Sequence, residues 1–451
     1  MLKTNAWKLW KQEEKEKAFS FSEEYKKFIS ENKTERKFVN KSVELAKKTG
    51  FQDITAMEKI VPGDSIFKIN KNKQVIFGKI GEVPIEEGAR FIVAHIDAPR
   101  LDLKPNPVYE DEGIVFFKTH YYGGIKKYHW LTIPLALYGT VVSKTGEIKM
   151  IEIGDKTDDP VFTITDLLPH LSRDQVKKTI EEGFPGENLN IVAATIPMED
   201  DKEPVKKNLF SILGQYGVNE EDLISSEFEV VPAGVARDLG FDRSLILGYG
   251  QDDRVCSYTS FRALIDSSEV KRSMFCVFVD QEEIGSYGST SAQSAFFQFF
   301  IEELLEKTKS KKSLRDVFEN SRAISADVSS LLDPGYKEAY DLRNAARIGC
   351  GACVERTTGG RGKAGSTEPT AEYIAWIRKI FDENNVHWQP SELGKIEQGG
   401  GGTVATFFAR LNIQTIDCGT GVISMHAPFE VTSKADVYST YNAYKAFYSA
   451  E

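Results

Sequence analysis

Apolar and polar residues follow more than one period along this chain of 451 residues. Up to about residue 50, apolar side chains such as Trp7, Trp10, Phe21, Tyr25 and Phe28 lie among charged neighbours. Several of them are three or four positions apart, a spacing that places them on one face of a helix. The first 50 residues are therefore predicted to be helical.

Short strand-like runs follow, including RFIVAHID, in which the apolar residues stop at His95. Between about residues 101 and 239 the segments are short and alternating, as in GIVFFKTHYY and KMIEIG, which indicates β-strands joined by turns. Within this region, residues 165–184 have a helical pattern. Beyond residue 240, strand-like runs alternate with helical patterns, and helices are predicted at 253–266, 289–307, 368–384, 402–411 and 434–448.

These changes of pattern predict the domain organisation. Strands that alternate with helices are typical of a largely parallel sheet covered by helices. We therefore predict an α/β domain in two pieces, 1–100 and 240–451, with a mixed, largely parallel sheet flanked by helices. A β-rich insertion over 101–239 interrupts it. The length of the chain also favours two domains, or one large domain with an insertion.

Composition excludes several classes of protein. The net charge of −10 and the pI of about 5.4 argue against nucleic acid as a partner, because phosphate binding needs a concentrated cationic surface. No apolar stretch approaches the roughly 20 residues of a membrane span. The charged N-terminal segment lacks the apolar core of a signal peptide. These features predict a cytoplasmic protein that does not enter a membrane.

The five cysteines are few for this length and suit a reducing compartment better than a disulfide framework. Cys350 and Cys353 form a C-x-x-C pair in a segment that is predicted to be extended. In a strand, positions three apart point to opposite faces, so such a pair chelates a metal poorly. We therefore favour a structural role for both residues.

Ligands that hard metal ions prefer follow apolar runs at several places. The strands of an α/β sheet deliver side chains at their carboxyl ends, where sites collect. Two imidazoles and at least three carboxylates suit two dications that share a bridging carboxylate. The residues in these positions are His95 and Asp97, Asp252 and Asp253, Glu282 and Glu283, Asp327, and His426.

Two of these positions have a more specific chemical interpretation. The adjacent carboxylates of Glu282 and Glu283 repel each other, and a bound dication would compensate, with one Glu as ligand and the other as a proton carrier. The alternative is a solvated acidic turn. Asp97 lies two residues after His95, on the same face of an extended chain, where it can hold the distal imidazole N–H. A histidine after a strand can also be a half-buried side chain without a metal.

Five motifs, AHIDAPR, GQDDRVCSY, DQEEIGS, SADVSS and MHAPFE, occur in this order. They resemble the aspartyl aminopeptidase and vacuolar aminopeptidase I family of di-zinc exopeptidases. The resemblance covers nearly the whole chain and includes YYGGIKKYHW, DLLPHL and the QGGGGT loop. It implies that Asp252 bridges two ions, that His95 and Asp327 complete one site and Glu283 and His426 the other, that Glu282 is the general base, and that Asp97 orients His95.

The resemblance also implies a fold and an activity. The expected fold is a zinc-exopeptidase-like α/β domain with an inserted dimerisation domain, assembled into a homododecamer. The expected activity is removal of N-terminal residues from short peptides with two divalent ions, which are expected to be Zn²⁺. A metal-dependent deacylase of N-acylated amino acids and a catalytically silent scaffold remain alternatives. The segments HWLTIPLALYG and RTTGGRGKAGSTEPTAEY depart from the pattern of eukaryotic members, which leaves the preferred N-terminal residue open.

Three further residues are predicted to contact substrate. Lys363, with Arg361, lies in a glycine-rich loop and could meet an acidic substrate side chain; this loop also fits G-x-G-x-x-G, but it lacks the β-α-β context of a dinucleotide site. Gly400 lies in a run of four glycines that could offer backbone N–H groups to substrate, or could be a turn that lets two strands approach closely. His170 matches a family position that reaches the active site of a neighbouring subunit.

Overall fold

The computed structural model describes residues 4–199, 202–268 and 270–451. Its α-helices are α1 (Ala6–Leu9), α2 (Gln12–Glu31), α3 (Glu35–Lys48), α4 (Ile180–Gly183), α5 (Pro204–Gln215), α6 (Gln251–Ile265), α7 (Phe296–Thr308), α8 (Leu314–Asn320), α9 (Ala371–Glu383), α10 (Ala405–Ala409) and α11 (Lys434–Ser449). Short 3-10 helices span Ile54–Ala56, Ile85–Glu87, Lys127–Trp130, Gln175–Lys177, Gly186–Asn188, Glu220–Ser225, Glu282–Ile284 and Pro334–Ala339.

The strands are β1 (Gln52–Asp53), β2 (Ser65–Asn70), β3 (Gln74–Lys79), β4 (Arg90–His95), β5 (Arg100–Asp111), β6 (Ile114–Tyr122), β7 (Leu135–Val142), β8 (Ile148–Ile153), β9 (Ile191–Ala194), β10 (Ser226–Pro232), β11 (Arg237–Leu239), β12 (Leu245–Gly248), β13 (Met274–Val279), β14 (Arg322–Ser325), β15 (Ser329–Ser330), β16 (Ala352–Glu355), β17 (Trp388–Ser391), β18 (Gln414–Gly419), β19 (Gly421–Ile423) and β20 (Glu430–Ser433). Among the described residues, every helix is too short or too polar to span a bilayer.

The chain forms two compact units. The first comprises the chain up to Asp97 together with Ala236–Met425 and Glu430–Glu451; the second comprises Ala98–Val235 and His426–Phe429. The main junctions therefore fall at 97/98 and 235/236, where the sequence analysis placed them at 100/101 and 239/240. The short segment His426–Phe429 belongs to the second unit, which the sequence analysis did not anticipate.

The first unit is built on a mixed sheet with the strand order β1-β2-β3-β13-β4-β14-β18-β16-β17. Its central strands β13, β4, β14 and β18 run parallel to one another, and antiparallel pairings flank them. All six residues of β13 are buried, as expected for a strand with helices on both faces. The prediction of a mixed, largely parallel α/β sheet flanked by helices is confirmed.

Each face of this sheet has its own apolar core because successive side chains point to opposite faces. Ile92 and Cys276 pack with residues of α2, α3, α6, α9 and α11 on one face. Phe91 and Phe275 pack with α7, α8 and α10 on the other. A smaller sheet of the same unit has the order β11-β12-β20-β19-β15 and leads into α6 and α11.

The second unit contains an antiparallel sheet with the order β8-β7-β10-β5-β6-β9. Its edge strand β8 leaves Ile148 66% exposed, and Val176 and Ile180 are 75% and 66% exposed in the following segment. The predicted helix over 165–184 is largely wrong. Only Gln175–Lys177 and α4 are helical, and residues 169–174 form turns.

The helices predicted in the α/β part are present, with different ends in two places. The helix predicted at 289–307 begins only at Phe296, because Ser291 bonds to the carbonyl oxygens of Ser286 (2.5 Å) and Gly288 (2.9 Å) and holds the preceding residues in turns. The helix predicted at 402–411 is reduced to α10, five residues long. A helix of five residues has a weak macrodipole, so its N-terminus attracts a negatively charged group only weakly.

Candidate metal centre

Three neighbouring parallel strands bring predicted site residues to one edge of the sheet. His95 is the last residue of β4, and its direct partner on β13 is Val279, three residues before Glu282. On the other side of β4, Ser325 ends β14 two residues before Asp327. Because parallel strands end at the same edge, residues that are more than 180 positions apart in the chain meet there.

The imidazole of His95 is at the centre of this cluster. Its Nε2 lies 3.3 Å from Oδ1 of Asp252, 3.9 Å from Oε2 of Glu282 and 3.9 Å from Oδ1 of Asp327. The His95 side chain is only 2% exposed. Two sets of ligand atoms lie within 4.8 Å of one another: His95 with Asp252 and Glu283, and His95 with Asp253 and Asp327.

Asp97 connects His95 to the paired glutamates. Its Oδ1 accepts a hydrogen bond from the backbone N–H of Glu282, and its Oδ2 accepts one from Glu283, each at 3.2 Å. Nδ1 of His95 lies 3.4 Å from Oδ1 of Asp97 and 3.1 Å from its backbone oxygen. With a proton on Nδ1, the ring donates to Asp97 and directs Nε2 at the carboxylates.

The turn after β13 depends on glycine. Gly285 closes the 3-10 turn Glu282–Ile284 with φ of +97°, a left-handed conformation that side chains disfavour. A Cβ at Gly288 (φ +146°) would lie 1.9 Å from Oε1 of Gln281, which itself has a positive φ. Both glycines therefore adopt backbone conformations that side chains disfavour, close to the turn that carries the two glutamates.

The cluster concentrates negative charge in a buried place. Burial raises the pKa of Asp327 well above its usual value, and the charges of Asp252 and Glu282 raise it further. Burial would lower the pKa of His95, but its hydrogen bonds with Asp252 and Asp97 raise it well above the usual value instead. The surrounding carboxylates therefore favour a positive charge at this position.

Asp252 and Asp253 are held at the start of α6 by the buried carboxylate of Glu430. This carboxylate accepts hydrogen bonds from the backbone N–H groups of Gln251 (2.6 Å) and Asp252 (3.1 Å). Asp252 and Asp253 themselves have non-helical backbone angles, and the peptide bond between them is cis. The backbone of α6 thus becomes regular only after both acids.

The sequence analysis named Asp253 among the candidates but gave it no role, although the structure places it close to His95 and Asp327. Its side chain is fully buried beside Asp327 and the thiol of Cys256. Burial raises its pKa well above the usual value, and the charge of Asp327 adds to this effect. One feature of the sequence could have indicated this position. Asp253 is the second acid of an Asp-Asp pair, and the segment continues into a buried helix.

The donor set suits a divalent metal. An imidazole nitrogen and several buried carboxylates are ligands that zinc accepts, and a dication would offset the repulsion among the acids more completely than one proton. When the carboxylates are ionised, an uncompensated group of this kind is costly to bury. His95, Asp252, Glu283 and Asp327 therefore fit an implied metal centre on the chemistry of their side chains.

Lys363 and Gly400 lie in two loops that pack against each other. The N–H of Arg361 donates to the oxygen of Ile396 (2.8 Å), and that of Gly401 donates to the oxygen of Thr358 (2.8 Å). A Cβ at Gly400 would lie 2.2 Å from the backbone of Gly360, which agrees with the close-approach alternative for the glycine run. The contact of either loop with substrate stays a prediction.

Charged and polar side chains anchor both loops. Nζ of Lys363 pairs with Glu368 at 2.9 Å, and Arg356 pairs with the same carboxylate at 2.7 Å. After the glycine run, the hydroxyl of Thr403 donates to the buried Asp417 on β18 at 2.7 Å. Lys363 is half exposed in this arrangement, so an acidic group could compete with Glu368 for it.

The remaining predicted residues belong to the second unit. Nδ1 of His426 lies 2.8 Å from the backbone oxygen of Gly124, and His426 has a positive φ of 64°. His170 is exposed and lies in a turn, although the sequence predicted a helix over 165–184. Their roles as metal ligand and substrate contact stay predictions.

Comparison with known proteins adds an independent line of information. The family described as "Aminopeptidase I zinc metalloprotease (M18)" matches residues 28–448. A probable M18 family aminopeptidase 1 of Clostridium acetobutylicum is 43% identical over 452 residues, covering 98% of this chain and 97% of that protein. The crystal structure of an M18 family aminopeptidase from Thermotoga maritima is 44% identical, covers 100% of both chains and superimposes with a TM-score of 0.96.

A more distant structure shares the fold. The dodecamer of mApe1 from S. cerevisiae is 22% identical, covers 95% of this chain and 96% of that chain, and has a TM-score of 0.77. These matches extend over both compact units of the chain.

Proposed function

Because the chain belongs to the aminopeptidase I zinc metalloprotease (M18) family and is therefore a zinc-dependent aminopeptidase, we propose that it acts with two zinc ions and Glu282 as general base. The observation that carries this proposal is the buried group of carboxylates around Nε2 of His95. Asp252 would bridge the ions, with His95 and Asp327 on one side and Glu283 and His426 on the other. The two overlapping sets of ligand atoms support a pair of ions.

Zinc held by these residues would supply Lewis acidity, which would lower the pKa of a water molecule, polarise the scissile carbonyl and favour binding of the free α-amine of the substrate. Glu282 accepts the proton of the attacking water and returns it to the leaving amine. Asp97 positions this step, because it bonds the backbone of Glu282 and contacts the ring of His95. The need for a free α-amine restricts cleavage to N-terminal residues of short peptides.

The reported relatives are described as aminopeptidases, which gives no support to the deacylase or the silent scaffold. A substrate panel tests this point. The zinc-loaded protein is expected to hydrolyse aminoacyl amides and dipeptides, and to leave their N-acetylated forms intact, because acetylation removes the amine that binds the metal. Release of the N-terminal residue is measured by chromatography. Faster turnover of the N-acetylated substrates would instead identify a deacylase.

We further propose that Lys363 contributes to selectivity for acidic N-terminal residues. Replacing Lys363 with Ala is expected to raise KM for acidic substrates about tenfold, roughly the value of one charged hydrogen bond, and to leave KM for neutral substrates unchanged. Arg315→Ala, an exposed residue of α8, is the matched control. Equal changes for both substrate classes would exclude a selective role for Lys363.

We propose that the second unit mediates self-association, with a homododecamer as the expected assembly. Exposed apolar side chains support this proposal, including Ile148 on the edge strand β8 and Val176 and Ile180 in the following segment. His170 would then reach the active site of a neighbouring subunit. The cytoplasmic location stays a prediction; all five cysteines are free thiols in this structure.

A further inference from the structure

Three arginines lie at the edge of the large sheet where its parallel strands begin. Arg90 is the first residue of β4 and pairs in register with Arg322, the first residue of β14. Arg272 lies two residues before β13, and the next residue, Ser273, accepts a hydrogen bond from the backbone N–H of Arg90 at 2.9 Å. The metal ligands follow the opposite ends of these strands. The six residues of β4 separate Arg90 from His95 by about 16 Å at the usual rise per residue.

The two strand arginines share an aromatic platform. The guanidinium carbon of Arg322 lies 3.9 Å from the ring centre of Trp376, and that of Arg90 lies 5.1 Å from it. Trp376 in turn stacks on Tyr373, with ring centres 5.7 Å apart. Arg272 reaches the same edge, where its guanidinium donates to the backbone oxygens of Glu87 (2.7 Å) and Gly88 (3.2 Å). The aromatic face orients guanidinium groups but does not neutralise them.

Within the described part of the chain, no carboxylate pairs with this cluster. Among the described residues, Arg90, Arg272 and Arg322 form no ion pair, although Arg90 is only 2% exposed and its Nε makes no hydrogen bond. Glu451 at the end of the chain is exposed and pairs with Lys271. Burial, together with the neighbouring Arg322 and Arg272, lowers the pKa of Arg90 to about 10, so its side chain stays cationic at neutral pH.

Another buried cation of the same unit, Lys434, has carboxylate partners. Lys434 has no exposed side-chain surface and pairs with Glu23 at 2.9 Å and Asp238 at 2.8 Å. A buried charge without such a partner is costly, and arginine does not escape the cost by losing its proton. The arginine cluster therefore has an unbalanced positive charge and a donor, Nε of Arg90, without an acceptor. An anion bound there would supply both the negative charge and the acceptor.

We propose that Arg90, Arg272 and Arg322 form a binding site for a small oxyanion of the phosphate class. Guanidinium groups bind tetrahedral oxyanions through paired N–H donors, and Nε of Arg90 supplies a donor that no protein group uses. The site is distinct from the metal centre, because it lies at the other end of the same strands. A phosphate ion bound there would neutralise most of the charge that the three side chains bring together.

Fluorescence of Trp376 provides a direct test with the zinc-loaded enzyme. Titration with inorganic phosphate at constant ionic strength is expected to give a saturable change that is absent from Trp376→Phe. Arg322→Gln is expected to weaken phosphate binding at least tenfold, because it removes one of three charged donors. Arg315→Gln, which changes an exposed arginine that pairs with Glu319 in its own helix, is expected to bind phosphate like the wild type.

Several controls separate this site from others. Inhibition of hydrolysis by phosphate reports binding at the metal centre, and Arg322→Gln is expected to leave that inhibition unchanged. If Arg322→Gln does not fold, Arg322→Lys, which keeps the charge but loses the paired donors, is expected to weaken binding several-fold. Equal affinity of these variants and the wild type would overturn the proposal. So would a response to phosphate no larger than that to chloride, or tighter binding of acetate.

Discussion

Replacement of Glu282 with Gln is expected to lower kcat by about 10²–10⁴-fold, the usual contribution of a general acid–base group. Glutamine is close in size and keeps an oxygen, but it cannot accept the proton of the attacking water. The backbone hydrogen bond from residue 282 to Asp97 does not involve the side chain, so the turn should persist. KM and zinc content are therefore expected to stay near the wild-type values.

This experiment needs both a kinetic and an analytical measurement. Steady-state hydrolysis of a dipeptide gives kcat and KM, and elemental analysis of the same sample gives the zinc content per chain. Glu306→Gln, on the exposed side of α7, is the matched control and is expected to behave like the wild type. A Glu282→Gln enzyme with full zinc content and near-normal turnover would refute the assignment of the base.

Removal of zinc by a chelator is expected to abolish hydrolysis, and full recovery is expected only after two equivalents of zinc per chain are returned. The physical reason is that a single ion leaves part of the carboxylate cluster uncompensated and the attacking water only partly activated. His426→Ala is expected to reduce the zinc content from two ions to about one per chain at limiting zinc, because it removes one ligand of one site.

Titration calorimetry of the metal-free protein with zinc, combined with activity at each step, measures both effects. His120→Ala, which changes an exposed histidine of β6, is the control and is expected to bind zinc like the wild type. Full activity after one equivalent would contradict the two-ion proposal. A His426→Ala variant with two tightly bound ions would show that another side chain fills that position.

The fold was predictable where the pattern of apolar residues is strong. The continuous apolar run of β13 and the periodic helices α6, α9 and α11 follow from local spacing alone. The errors occur where side chains bond to nearby backbone, as at Ser291, or where turns replace a weak helical pattern, as in residues 165–184. Such local hydrogen bonds leave no periodic signal in the sequence.

The candidate site was predictable for a different reason. Residues that directly follow apolar strands are expected at the carboxyl edge of a parallel sheet, so His95, Glu282 and Asp327 could be grouped before their distances were known. The direction of the two acids Asp252 and Asp253 depends on the irregular backbone at the start of α6, which the sequence does not reveal. In the structure both acids lie near His95. The support from Glu430 depends on a strand pairing far along the chain.

The carboxylate of Asp97 contacts both His95 and the turn of the paired glutamates. One oxygen lies near the His95 ring and accepts a hydrogen bond from the amide of Glu282, and the other accepts one from the amide of Glu283. If His95 binds zinc and Glu282 is the base, as proposed, zinc affinity and the efficiency of proton transfer are expected to depend on each other. A substitution of Asp97 that changes zinc affinity is expected to change proton transfer as well. Its effect is expected to be non-additive with that of a substitution at either glutamate. Natural variation in this region should accordingly arise as concerted replacements.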